Sequence, residues 1–225
     1  MKKIVFIVAH PDDMACAVSG TALLLSKNYE ITVLCASRGE RGIAGVDLNT
    51  AGTIRTLEEE KSVGLCGGKV IFLDYIDGEI FADSNLCKKI AGYLQDIQPA
   101  AIFTIWPLDR HSDHATVSLA AAQAATMNGF QGEFYYFEED QGSQTFCFTP
   151  DLYINISSVW QEKCAMIRCH ESQNRDDRML KTLQEQNRFR GMECDVQYAE
   201  AFKTAWPRAP KRDSILRELS EKTFI

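Results

Sequence analysis

The chain has 225 residues, 45% of them hydrophobic, and a formal net charge of −7. That is enough apolar material for one globular domain, and the acidic excess argues against nucleic acid or an anionic membrane surface as a partner. A small-molecule substrate is the class left standing. No apolar stretch approaches the length of a membrane span. Lys2 and Lys3 before Ile4–Ala9 imitate a secretory leader, but the apolar run is short and ends in two acids. The eight cysteines are scattered without a CxxC, and several sit inside apolar patterns. They read as small core residues of a reduced, cytoplasmic protein.

The run Ile4–Ala9 is short and uniformly apolar, as for a strand buried on both faces of a parallel sheet, and it breaks into His10-Pro11-Asp12-Asp13. Met14–Ser26 reads as one helix, with Gly20 allowing close approach to the sheet. Glu30–Ala36 is the second strand. Ser37–Gly45 is a loop with three glycines and paired charges, ligand-facing or simply solvated. Thr53–Leu65 carries the helical period and stops at Gly67-Gly68. Val70–Leu73 is a third strand, running into Asp74–Gly78, and Leu86–Ile97 a helix closed by Pro99. Ala100–Trp106 is the fourth strand, followed by His111-Ser112-Asp113-His114 and an alanine-rich helix over Ala115–Met127. This alternation predicts an α/β fold, a Rossmann-like three-layer sandwich on a mostly parallel sheet. After about residue 130 the pattern is less regular. Phe134–Phe137 and Tyr153–Ile156 read as strands, and Trp160–Cys169 and Asp176–Arg190 as helices. No repeat, linker or boundary divides residues 1–225, so a single domain is expected.

Three of the four histidines lie in the two clusters that follow the first and fourth strands. Strand C-termini are where α/β sheets place ligand sites, and two such loops can meet over one sheet edge. A catalytic zinc commonly has three protein ligands and one open position. His10 and Asp13, three apart across a turn, can face one point, and His114 can approach from the other loop. Asp12 can then take a proton from water, His111 can donate to an oxyanion, and Asp113 can orient a histidine through its second ring nitrogen. Either cluster alone is compatible with an ordinary capped turn. Together they predict a metal or catalytic site. A nucleotide-binding Rossmann protein is disfavoured, because His-Pro-Asp-Asp stands where the glycine-rich fingerprint belongs.

Ala9-His10-Pro11-Asp12-Asp13 with Gly20-Thr21, and His111-x-Asp113-His114, resemble the PIG-L/LmbE-like N-deacetylases, zinc-dependent enzymes on a Rossmann-like fold. Ser37-x-Gly39-Glu40, Arg55-x-x-Glu58, Lys163 through His170-x-Ser172-Gln173, and Tyr198–Phe202 are similar to further segments of that family. The resemblance implies zinc on His10, Asp13 and His114, and the donor set of two imidazoles and one carboxylate also accepts Fe²⁺ or another divalent transition metal. The resemblance also implies Asp12 as general base and His111 as stabiliser of the tetrahedral intermediate. Arg55 falls where the family contacts a sugar hydroxyl, and His170 falls near the site rim. Asp77 and His170 are the next candidates for substrate contact. The expected activity is removal of an N-acetyl group from an N-acetylglucosamine-type compound, and the rival is a degenerate sugar-binding protein of the same fold. Met14 and Ala15 stand where the family often has Glu, Ser112 where it often has Pro, and Asp109 where some members have Tyr. A homo-oligomer is allowed but not specified by the sequence.

Overall fold

The structure, a computed structural model, describes residues 1–139, 144–206 and 214–224. Its strands are β1 (Lys2–Val8), β2 (Tyr29–Ser37), β3 (Lys69–Tyr75), β4 (Ala101–Ile105), β5 (Glu133–Phe137), β6 (Leu152–Asn155) and β7 (Ala199–Trp206). They form one sheet in the order β3-β2-β1-β4-β5-β7-β6. The pairs from β3 across to β5 are parallel, and β7 runs antiparallel to both β5 and β6. The helices are α1 (Asp13–Ala17), α2 (Ser19–Leu25), α3 (Leu48–Leu65), α4 (Ser84–Ile97), α5 (Ser112–Met127), α6 (Trp160–Arg168), α7 (Arg178–Met192) and α8 (Ile215–Thr223). They cover both sides of the sheet, α4 packing on α5, and α6 on α2, α3 and α7. Among the described residues no helix is long and apolar enough to cross a membrane. All eight cysteines are free.

The centre of the sheet is built from the residues whose apolar runs mark them as doubly buried. Ile4 to Ala9 are fully buried. Phe6 pairs in register with Phe103, and Phe103 with Tyr135, and their rings stack at 4.8 and 5.1 Å between centroids. Each such side chain stabilises the fold by about 1.5–3 kcal/mol relative to exposure. This aromatic row runs across β1, β4 and β5. It locks the register of the two strands whose C-terminal ends carry the histidines.

From β1 the chain moves outward one way through β2 and β3, then returns to lay β4 on the other side of β1. That reversal leaves the loops after β1 and β4 adjacent with no helix crossing between them, the crevice where such sheets bind ligands.

Three elements differ from the sequence expectation. The helix expected over Met14–Ser26 is two short helices broken at Val18. The break is stabilised from afar, because the buried Glu200 carboxylate accepts the N–H groups of Gly20 and Thr21 at 2.9 and 2.7 Å. Glu200 is in turn paired at 2.6 Å with Lys163, itself fully buried. Gly20 is obligatory here, since a Cβ would lie 2.7 Å from Ile156 Cγ2. The helix expected from Thr53 starts earlier, at Leu48, where the Asp47 carboxylate caps the Thr50 N–H at 3.0 Å. Ala199–Trp206, alanine-rich and charged, is a strand inserted between β5 and β6. Tertiary pairing overrides its weak β-propensity.

Candidate functional site

Loops following β1, β2, β3 and β4 converge on one cavity of about 690 Å³. His10 comes from the β1 loop, and its ring is edge-on to His111 and tilted to His114, both from the start of α5. His10 Nε2 lies 3.1 Å from Asp113 Oδ2 and 3.3 Å from Asp77 Oδ1. Asp113 Oδ2 also accepts the Gly78 N–H at 2.7 Å, and Asp77 Oδ2 accepts the Arg41 N–H at 3.1 Å. The carboxylates of two loops therefore take the Nε2–H proton of His10 and leave its Nδ1 lone pair facing inward.

His114 is oriented in the same manner. Its Nδ1 is 3.3 Å from Asp109 Oδ2, an acceptor for Nδ1–H, so the Nε2 lone pair faces His10. Asp13 divides its carboxylate. Oδ2 accepts the N–H groups of Ala9 and His10, both at 2.9 Å, and Oδ1 points at the two imidazoles. The three inward atoms form a triangle: His10 Nδ1 to His114 Nε2 is 3.2 Å, His10 Nδ1 to Asp13 Oδ1 is 3.8 Å, and His114 Nε2 to Asp13 Oδ1 is 3.5 Å.

Two nitrogen lone pairs and a carboxylate oxygen at these distances repel one another unless a cation lies between them. A tetrahedral ion with ligands at about 2.0–2.2 Å requires donor-to-donor edges of about 3.3–3.6 Å, a range that the 3.2, 3.5 and 3.8 Å edges of this triangle bracket. Without an ion, protons fill the role. Burial opposes charge on His114, but the Asp13 charge and hydrogen bonds to Asp109 and Asp13 outweigh it and push its pKa up to about 9. Burial likewise raises Asp13, yet His114 and His10 hold it well below the usual carboxylate range. His111 offers a competing third donor, since its ring and those of His10 and His114 have nitrogens within 4.8 Å of one another. The chemistry of His111 points elsewhere, because its Nδ1 accepts the Asp113 N–H at 3.3 Å. Its neutral form then carries the proton on Nε2, as a hydrogen-bond donor.

Asp12 sits beside this triangle in a strained backbone conformation, φ 103° and ψ −30°. Such a conformation costs of order 1–3 kcal/mol in a non-glycine residue and needs holding from outside. Glu59 of α3 accepts its N–H at 3.1 Å, and Arg55 Nη2 pairs with its Oδ2 at 3.0 Å. Burial pushes the Asp12 pKa up to about 6, with Arg55 pulling it down and Asp13 pushing it up.

The expected substrate contacts lie differently from the sequence reading. Arg55 is only 4% exposed. Its guanidinium donates to the carbonyls of Pro11 and Gly39 as well as pairing with Asp12, so its fork is largely occupied by protein. Gly39 (φ 63°) and Gly42 wrap it so closely that a Cβ at either position would collide with it. Asp77 reaches the cavity wall but faces His10. His170 is not at the rim. It is fully buried behind Glu59, at 3.5 Å, and neither ring nitrogen has a hydrogen-bond partner. Burial and the nearby Arg55 charge push its pKa down to about 3, so it is neutral. Glu59, Asp109 and Glu139 belong to this region, and the sequence pattern does not mark them as site residues. Asp109-x-His111 does carry a legible signal, an Asx turn in which Asp109 Oδ1 accepts the His111 N–H at 2.7 Å.

Diacetylchitobiose deacetylase of Thermococcus kodakarensis is 28% identical over 196 residues, covering 79% of this chain and 72% of that protein. The 4-oxalmesaconate hydratase of Pseudomonas putida is 27% identical over 192 residues, covering 76% and 74%. The fold is shared with the solved N,N'-diacetylchitobiose deacetylase of Pyrococcus horikoshii, at TM-score 0.83 and 24% identity over 94% of this chain and 88% of that one. It is shared equally with the hydratase GalB of P. putida, at TM-score 0.83 and 22% identity over 94% and 99%. A family model described as PIG-L, GlcNAc-PI de-N-acetylase, matches residues 5–125. With that match spanning more than half of its length, the chain belongs to the PIG-L family of de-N-acetylases.

Proposed function

We propose that this protein is a metal-dependent amide hydrolase that releases acetate from an N-acetylglucosamine-type compound. The observation that carries the reading is the triangle of His10 Nδ1, Asp13 Oδ1 and His114 Nε2, with the Asp12 carboxylate fixed beside it over an open cavity. These three residues would hold a divalent ion, zinc suiting the donor set and ferrous iron accepting it. When bound, the ion supplies Lewis acidity and lowers the pKa of water.

The chain's own residues supply the rest. Asp12, ionised above about pH 6, accepts a proton from the attacking water. His111 donates its Nε2–H to the carbonyl oxygen as that oxygen gains charge, and the hydrogen bond strengthens toward the transition state. As the C–N bond breaks, Asp12 returns the proton to the leaving nitrogen. Asp113 and Asp109 keep the two imidazoles of His10 and His114 in the required tautomers. Incubation with N-acetylated amino sugars and assay of free acetate tests the reading. A metal-replete protein that releases none from a broad panel refutes it.

The likeness to a hydratase supports a second reading, in which the same base delivers water to a carbon–carbon double bond of a polycarboxylate. Arg178 on the cavity wall would suit such an anion. Loss of conjugated absorbance from an unsaturated dicarboxylate, with no acetate release from the sugar panel, would select it.

Arg55 acts in this account through Asp12. Its positive charge holds the Asp12 pKa down, so Arg55→Ala shifts the acidic limb of the kcat/KM profile to higher pH. A base must be deprotonated to work, so the variant loses activity most steeply at low pH and partly recovers as pH rises. With strained Asp12 also less well held, we expect kcat/KM at neutral pH to fall about 10- to 100-fold, or about 1.4–2.8 kcal/mol. A pH–rate profile of the variant that superimposes on the parent's counts against this coupling.

A further inference from the structure

Glu139 follows β5 and lines the same cavity, opposite the loop after β1. The residue is 6% exposed. The backbone is held on both sides, with the N–H donating to Thr145 Oγ1 at 3.0 Å and the carbonyl accepting from Gln186 Nε2 at 3.1 Å. Its side chain, by contrast, has no hydrogen bond or ion pair among the described residues, and Oε1 is buried without a partner. The adjacent Glu138 shows what this chain does with an acid it buries for structure. That carboxylate is bracketed by Arg190, with Nη2 at 2.7 Å from Oε2 and Nε on Oε1.

An unpartnered buried carboxyl costs stability, whether it stays charged or takes up a proton. Among the described residues nothing pairs with that carboxyl, and the open side of Glu139 is the cavity it shares with Asp12, Asp13 and His114. A ligand bound in that cavity is placed to supply the partner.

We propose that Glu139 is a specificity-determining substrate contact that hydrogen-bonds a ring hydroxyl neighbouring the acetamido group of the amino sugar. The inference rests on the amide-hydrolase reading above. A hydroxyl is the fitting partner because it both donates and accepts, so it satisfies the carboxyl in either protonation state. The position agrees. Glu139 lines the cavity together with Asp12 and Asp13, whose charges, after burial itself, add to pushing its pKa well above the carboxylate range. The portion of substrate that reaches it is thus the ring beside the scissile amide, rather than a distant substituent. The contact also supplies a carboxyl to a pocket whose β1 loop has Met14 and Ala15 after its acid pair.

The test uses the metal-loaded full chain with the best substrate of an N-acetyl amino-sugar panel, together with its 1-deoxy and 3-deoxy analogues. Glu139→Ala is expected to raise KM about tenfold or more with a smaller change in kcat, as for one lost hydrogen bond to a carboxyl group. Glu139→Gln, which keeps the shape and one acceptor, should recover much of that loss. At least one deoxy analogue should lose activity on the parent but suffer no further loss on Glu139→Ala, because both changes delete the same contact. Metal content should be unchanged, and the melting temperature of both variants should equal or exceed the parent's, since a buried unpaired acid has been removed. Kinetics within twofold of the parent overturn the assignment. So do deoxy penalties that are equal on parent and variant, or a lowered melting temperature with unchanged KM, which marks a structural acid. A parent that neither binds nor turns over any sugar of the panel by calorimetry and acetate assay overturns the amide-hydrolase reading itself, and this contact with it.

Discussion

Replacing Asp12 by asparagine should lower kcat by about 10²- to 10⁴-fold, the range expected for loss of a general base, while metal content is unchanged. Asparagine is the informative choice. It tolerates the positive φ of this position better than most residues, and its side-chain oxygen can still accept from Arg55, so the strained turn should persist. It cannot take a proton from water. The residual rate should also lose the acidic limb of the pH profile, because the group whose pKa lies near 6 in the metal-free protein is gone. A bound cation pulls that value lower, so in the parent the limb falls at or below about pH 6. The check is single-substrate kinetics across pH with parallel elemental analysis. Parent-like kcat in Asp12→Asn would place the base elsewhere in the cavity.

Asp13→Ala and His111→Ala should separate two roles that the cluster allows. Removing Asp13 deletes one corner of the triangle and the acceptor for the N–H groups of Ala9 and His10. It should strip the ion and abolish activity. Removing His111 should leave the ion in place and reduce kcat about 10²- to 10³-fold, as for the loss of one oxyanion donor. If His111 were the third ligand instead, as its proximity to His10 and His114 permits, the metal contents of the two variants would be reversed. Elemental analysis of both purified proteins decides between the two arrangements.

Much of this architecture is legible in the order of the amino acids. Uniform apolar runs at Ile4–Ala9 and Ala100–Trp106 mark doubly buried strands because no other environment tolerates them, and the histidines follow directly. The adjacency of the two clusters follows from topology, in that a parallel sheet wound both ways from β1 must bring those two loops together. What the amino-acid order hides is what long-range pairing creates. The break at Val18 depends on Glu200, far along the chain, whose alanine-rich segment carries no strand signal of its own. Arg55 reads as available to substrate because its helix opens toward the site. Its engagement depends on Asp12 adopting a left-handed conformation, which Pro11 does not announce. Glu59 resembles an ordinary surface polar residue and His170 a residue of the site rim, until packing buries both fully. Glu139 has no motif at all, and only the absence of a partner in a buried wall sets it apart from Glu138.

Amide hydrolysis is proposed to depend on a divalent ion held by His10, Asp13 and His114. The most direct test of that dependence is elemental analysis of protein purified without added metal, alongside acetate release from an N-acetyl amino sugar before chelation, after chelation and after adding back single metals. We expect about one transition-metal ion per chain, activity lost with the ion, and activity restored by zinc or ferrous iron. Full acetate-releasing activity in protein containing no transition metal would contradict it.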